Sequence, residues 1–180
     1  MRIARNLAVL GCAALLAAPG IAAAAESAAP CLTPAEFTSL SSYALPSVIS
    51  GVAQQCTATL PGEAYLTRSG SQLAQRYAAR KAASWPGAKA AFMKFSGSNA
   101  EAAQLFKAMP DASLQPMLDG IITAMIATKL PTARCATIDR FVSLLAPLPP
   151  ENTAELIALA AGLGAKSGKA RVGQFSLCTA

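Results

Sequence analysis

The chain has 180 residues, of which 53% are hydrophobic and 6% aromatic, and its formal net charge is +6. It contains no histidine, which excludes Ser-His-Asp and Cys-His catalysis and every zinc site that needs an imidazole. The abundance of alanine and leucine over aromatic and β-branched residues favours helix over sheet.

The N-terminus is typical of an export signal. Arg2 and Arg5 precede an apolar run from Leu7 to Leu16, and small residues follow up to Ala25. This order predicts a secretory signal peptide over residues 1–25, cleaved near Ala25. A transmembrane anchor and a lipoprotein signal ending at Cys12 are the alternatives, but the apolar run is short for either.

Residues 26–180 are predicted to form one helical domain, because about 155 residues suffice for a sizeable core. Without Arg2 and Arg5, thirteen basic residues stand against nine acidic ones, a net charge near +4. No later apolar run is long enough to cross a bilayer. We therefore expect a periplasmic or secreted protein without a transmembrane span.

Prolines and capping residues divide this domain into helices. Thr33 and Glu36 have the spacing of a capping box with Pro34 at the first helical position, and Ser98 with Glu101 repeats the box. Pro46 is predicted to restart a helix, and Trp85-Pro86-Gly87 is predicted to be a break. Helices are expected over about 34–44 and 46–57, then from Pro61 with its stronger part over 71–83, and over 88–95. Further helices are expected from the second capping box to about 109, over 113–129, from Pro131, and from Pro150 or Asn152.

The fold class predicted from this pattern is all-α. We expect a small bundle of about seven to eight short helices, followed by an extended C-terminal arm that ends at Cys178. Apolar residues recur at helical spacing in the later segments, as at Leu114, Leu118 and Ile121.

Four cysteines remain after the signal: Cys31, Cys56, Cys135 and Cys178. An even number in an exported chain predicts two disulfides. Of the three pairings, we favour Cys31–Cys56 with Cys135–Cys178, because two short helices folded back at Pro46 would bring the first pair together.

The glycine- and lysine-rich stretch from Gly162 to Ala170 resembles a phosphate loop only in composition. Gly168-Lys169 lacks the first glycine, since residue 163 is leucine, and Ala170 replaces the required Ser or Thr. We interpret it as a helix end, with Gly164 as the C-terminal cap and Lys166 near the negative end of the dipole. No cofactor and no metal site is predicted.

Charge is distributed unevenly along the domain. Between Ala64 and Ala100 there are six basic residues and no acidic one. Arg68, Gln72, Arg76 and Arg80 recur every four residues and would share one face of a helix. Such a face, with aromatic residues beside it, is suited to lipid headgroups or acidic polysaccharide, whereas nucleic acid is not expected after export. The predicted binding residues are Arg68, Arg76, Arg80, Lys81 and Trp85.

The function predicted from the sequence is therefore a non-enzymatic, exported binding or envelope-interaction protein. A helical carrier of a small apolar ligand is the alternative, because bundles readily provide apolar pockets. A carboxylate-dependent hydrolase comes third, since it needs two acids facing one cleft. Asp119 and Asp139 are the acids expected within helices, while Glu36, Glu101 and Glu151 are expected at helix starts. The oligomeric state is left open.

Overall fold

A computed structural model describes residues 31–97, 99–166 and 177–178. These residues contain seven α-helices and one 3₁₀ turn, which confirms the all-α prediction. The predicted signal peptide, most of the predicted C-terminal arm and Ser98 of the second predicted capping box lie outside them. The elements are α1 (Pro34–Cys56), α2 (Tyr65–Ala78), α3 (Lys81–Ser96), α4 (Ala100–Ala108), α5 (Asp111–Lys129), the 3₁₀ turn (Thr132–Arg134), α6 (Cys135–Leu145) and α7 (Pro150–Lys166).

Helix α1 lies at the centre of the fold. Helices α2, α3, α5 and α7 all pack against it, whereas α6 packs on α2. It begins with the predicted capping box: Thr33 accepts a hydrogen bond from the Glu36 backbone N–H, and the Glu36 carboxylate accepts one from the Thr33 backbone N–H. None of the helices within the described residues is long and apolar enough to cross a bilayer.

The predicted helix restart at Pro46 is wrong, because α1 runs through this residue without a break. A proline inside a helix costs about 3 kcal/mol. Each fully buried large apolar side chain contributes about 1.5–3 kcal/mol, and α1 buries Phe37 and Tyr43 before Pro46 and Ile49 and Val52 after it. Burial along both halves therefore outweighs the lost backbone hydrogen bond.

The predicted break at Trp85-Pro86-Gly87 is also wrong, since all three residues lie inside α3. Trp85 is only 7% exposed, and its ring centroid lies 5.0 Å from that of Tyr43 in α1. A Cβ atom at Gly87 would overlap Ser39 of α1. The glycine is therefore the residue that allows α3 to approach α1 closely.

Helix α5 crosses α1 at a second glycine. A Cβ atom at Gly51 would lie 2.6 Å from the carbonyl oxygen of Thr123 and 2.9 Å from Cβ of Ile126. The same two helices share a core with α3, in which Leu114 is fully buried beside Tyr43 and Trp85. Small residues in α1 and α3 thus set the distances between the three helices.

Two disulfides are present, but their pairing differs from the favoured one. Cys31 is bonded to Cys178, and Cys56 is bonded to Cys135. The prediction failed because it assumed a helical hairpin at Pro46, whereas the unbroken α1 carries Cys56 far from Cys31. Cys56 meets the start of α6 in the core, and Leu177 forms an isolated parallel bridge with Leu32.

Candidate functional site

The predicted basic face is divided between α2 and the connection that follows it. Arg68, Gln72 and Arg76 lie on α2, which ends at Ala78, and Arg80 lies in the connection before α3 begins at Lys81. The periodicity of four therefore holds along α2 and stops at Arg80. The end of α2 at Ala78 was not predicted, because Ala79, Arg80 and Lys81 are all compatible with a helix and the predicted helix ran on to residue 83.

The outer surface of α2 carries exposed cationic and amide side chains. Arg68, Gln72, Gln75 and Arg76 are all exposed. A shallow open depression of about 440 Å³ is lined by three of these four residues together with Tyr65 and Leu73. Gln75 was not among the predicted residues, although it lies three residues after Gln72 and so shares its side of the helix.

Arg76 and Arg80 each have a neighbour within the fold but remain exposed. The Arg76 guanidinium donates a hydrogen bond to the carbonyl oxygen of Ala146 and lies 5.9 Å from the centroid of the Tyr77 ring. Arg80 forms an ion pair with Glu151 at 3.8 Å, and both side chains are about half exposed. Exposed pairs of this kind contribute about 0–1 kcal/mol, so Arg80 remains available to a ligand.

Lys81 is placed differently, since its side chain is only 16% exposed. Its ammonium group binds the Asp119 carboxylate and lies 4.4 Å from the centroid of the Tyr43 ring. Asp119 also accepts a 3.1 Å hydrogen bond from the buried Ser47 hydroxyl. Burial and the nearby Asp119 charge raise the pKa of Tyr43 above its ordinary value. The network therefore connects α1, α3 and α5.

Trp85 does not lie on the surface as its predicted binding role requires. It is buried between α1 and α5, and its indole Nε1–H donates a 2.8 Å hydrogen bond to Asp111. Lys89 and the Trp85 indole together lower the pKa of the Asp111 carboxyl. The expected aromatic anchor is thus part of the core, because the helix continues through Pro86 and turns Trp85 towards Tyr43.

Several acidic residues of the described part of the chain have structural partners. Asp139 accepts hydrogen bonds from the backbone N–H groups of Tyr65 and Leu66 at the start of α2. Glu36 caps α1 and binds Lys94 at 2.7 Å. Asp119 forms an ion pair with Lys81 of α3, and Asp111 forms one with Lys89 of the same helix. In the described part of the chain, no group of three or more Cys, Asp or Glu residues is positioned to hold a metal ion.

Comparison of the chain with family models, with curated proteins and with solved structures gives no match. The candidate site is therefore defined by its own geometry. We call Arg68, Gln72, Gln75, Arg76 and Arg80 the cationic face. Of the predicted site residues, Arg68, Arg76 and Arg80 are exposed, the first two on α2 and the third in the connection after it. Lys81 and Trp85 make contacts between helices instead.

Proposed function

We propose that the protein is a non-enzymatic, exported binding module that attaches to phosphate or carboxylate groups of the cell envelope through the cationic face. The observation that carries this proposal is the exposure of three arginines interspersed with two glutamines, on a segment without an acidic residue. Two disulfides are typical of an exported protein and support this location.

The side chains of the cationic face suit anionic oxygen ligands. A guanidinium group presents a planar fork of donors that matches the oxygens of a phosphate or a carboxylate. The amides of Gln72 and Gln75 add donors and acceptors for the hydroxyl groups that accompany such anions in headgroups and sugars. Arg68 forms no ion pair with any acid of the described residues, so its charge is not neutralised within the fold.

Electrostatic attachment of this kind has a definite dependence on salt and on charge. Each basic residue at an anionic surface contributes about 1 kcal/mol, so the loss of two arginines should weaken binding roughly thirty-fold. Added salt screens the same attraction. Because Trp85 is buried, we expect no contribution from it to attachment.

The test is cosedimentation of the purified, disulfide-bonded protein with anionic vesicles at low and high salt, and with neutral vesicles. The variant is Arg68→Gln with Arg80→Gln, which leaves the hydrogen bond from Arg76 to Ala146 intact. The matched control is Lys107→Gln with Arg140→Gln, because these cations are exposed on α4 and α6. We expect salt-sensitive binding that the first pair weakens and the control pair leaves unchanged.

A soluble acidic polysaccharide added as competitor distinguishes the two sources of anion. Release of the protein from anionic vesicles by the polysaccharide would indicate recognition of the shared anionic chemistry, and no release would favour headgroups. If anionic vesicles bind no protein at low salt and the polysaccharide binds none in equilibrium dialysis, the proposal is wrong. Binding that persists at high salt would instead favour a carrier of an apolar ligand.

A further inference from the structure

Helix α7 has two apolar sides, and the described part of the chain buries only one of them. Its inner side packs against the start of α1, where Ile157, Ala158 and Ala161 lie beside the core residue Phe37. On its outer side, Leu156 is 47% exposed, Leu159 is 64% exposed and Leu163 is 70% exposed. A surface helix normally has polar residues opposite its buried face, so three exposed leucines need an explanation.

The outer leucines follow the spacing of a helix-pairing seam. Asn152, Leu156, Leu159, Leu163 and Lys166 are separated by four, three, four and three residues. Alternation of three and four is the heptad pattern that keeps one side of a helix facing a partner helix. We call Leu156, Leu159 and Leu163 the outer seam. Its regular spacing distinguishes it from single exposed apolar residues, which are common on surfaces.

The charges of α7 indicate which partner helix would fit. Glu155 is near its beginning, beside Glu151, which already pairs with Arg80. Lys166 is its last residue, and the residues between Glu155 and Lys166 are uncharged. An antiparallel copy of the same helix would bring the acidic beginning of each near the basic end of the other. The helix dipoles would also be antiparallel, which is favourable. A parallel copy would bring like charges together.

We infer that α7 is a self-association surface, on which two copies of this protein pair their outer seams antiparallel about a two-fold axis near Leu159. Leu156 then packs against the partner subunit's Leu163, and the reverse contact follows by symmetry. The inference goes beyond the proposed function and does not depend on it, because the cationic face contributes no residue to the seam. One helix from each subunit is a small interface, so we expect association in the micromolar range.

The test is sedimentation equilibrium of the purified, disulfide-bonded protein over a wide range of concentrations. We expect the average mass to rise from that of one chain towards that of two. The variant Leu159→Glu should remain a single chain at every concentration, because it places a charge in the middle of the seam. The matched control is Leu144→Glu on α6, where the leucine is 62% exposed and lies outside the seam; its association should be unchanged.

Charge exchange tests the orientation of the two helices. Glu155→Lys alone and Lys166→Glu alone should each weaken association, since each creates like charges across an antiparallel pair. The double variant should restore it. Single variants that associate as well as the wild type would overturn the antiparallel arrangement.

Other occupants of the outer seam would give different results. Association that Leu159→Glu leaves unchanged would place the interface elsewhere and overturn the inference. A wild type that stays a single chain but binds neutral vesicles through Leu159 would assign the seam to lipid. A wild type that stays a single chain and loses stability in Leu159→Glu would show that another part of the same chain covers it.

Discussion

The carboxylate of Asp139 accepts a 2.7 Å hydrogen bond from the backbone N–H of Leu66, a residue that lies 73 positions earlier in the chain. A second bond of 3.3 Å comes from the Tyr65 backbone N–H. Helix α2 has no side-chain cap of its own, because Ala64 occupies the N-cap position. The start of α2, and with it the cationic face, is therefore positioned by a carboxylate of α6.

Replacement of Asp139 by alanine should destabilise the protein by about 1–2 kcal/mol, because two N–H groups lose their acceptor and the helix dipole loses its anion. Urea unfolding measures the change. Arg140→Gln is the matched control, since Arg140 is the next residue of α6 and is exposed. A loss no larger than that of the control would show that water caps α2 equally well.

Replacement of Gly51 by alanine should destabilise the protein by about 1–3 kcal/mol, because the new methyl group would overlap Thr123 and Ile126 where α1 crosses α5. Gly120→Ala is the control, since a Cβ atom at this position would have no atom within 4 Å beyond the backbone of its own helix and its chain neighbours. There the better helix propensity of alanine should stabilise by up to about 1 kcal/mol. Thermal unfolding of both variants measures the contrast, and equal effects would contradict the close crossing.

Features that depend on neighbouring residues were predictable from the sequence, whereas features that depend on contacts between helices were not. The capping box of Thr33 and Glu36 involves residues three apart, and it was predicted correctly. The continuity of α1 through Pro46 depends on burial against other helices. The burial of Trp85 depends on the position of Tyr43, which lies in another helix. Local signals therefore defined the class of fold and some helix boundaries, such as those at Pro34 and Lys129.

In the candidate site, too, local features were predictable and contacts between helices were not. The exposure of Arg68 and Arg76 follows from helical spacing along α2 alone. The engagement of Lys81 by Asp119 and the capping role of Asp139 join segments that are distant in the chain. Neither contact leaves a local pattern in the sequence, since the partners lie 38 and 73 positions apart in the chain.

Peptide mapping of the unreduced protein should recover Cys31 linked to Cys178 and Cys56 linked to Cys135. Replacement of Cys56 and Cys135 by alanine should cost about 4 kcal/mol, because this bond closes a long loop. The bond also lies in the core beside Val52 and Leu66. A peptide joining Cys31 to Cys56 would contradict the continuous α1.

Stability should fall as the pH falls below the ordinary carboxyl range, because Glu36 has a lowered pKa in the folded state. The hydrogen bond from Lys94 is the main cause, followed by the bond from the Thr33 backbone. The Glu36 carboxylate therefore stabilises the fold above its unfolded pKa near 4.5, and this contribution is lost as the pH falls through the lower folded value.

Replacement of Lys94 by methionine should remove most of this acid sensitivity. The variant should be less stable than the wild type at neutral pH, and the difference should close at the acidic end of a series of urea unfolding measurements. Lys107→Met on α4 is the control, because Lys107 is exposed and forms no ion pair within the described residues. A difference from wild type that is the same at every pH would contradict the role of the Glu36 charge.

Replacement of Asp119 by alanine should cost about 2 kcal/mol or more, because it leaves both the Ser47 hydroxyl and the Lys81 ammonium group without their acceptor. Lys81→Met should cost less, since its methylene groups still cover the Tyr43 ring and Asp119 keeps its bond to Ser47. In a double-mutant cycle the two changes should couple by about 1–2 kcal/mol. Lys89→Met in the same helix is the control, because its ion pair with Asp111 is more exposed and should contribute about 0–1 kcal/mol.

The same Lys81→Met variant separates the structural role of this lysine from the binding role expected of it. Since its side chain is largely buried against Asp119 and Tyr43, it should leave binding to anionic vesicles unchanged, whereas Arg68→Gln with Arg80→Gln should weaken it. Cosedimentation at low salt compares the two variants after circular dichroism has shown that both are folded. Equal loss of binding in the two would mean that Lys81 leaves its carboxylate partner to contact the anion, and would extend the cationic face onto α3.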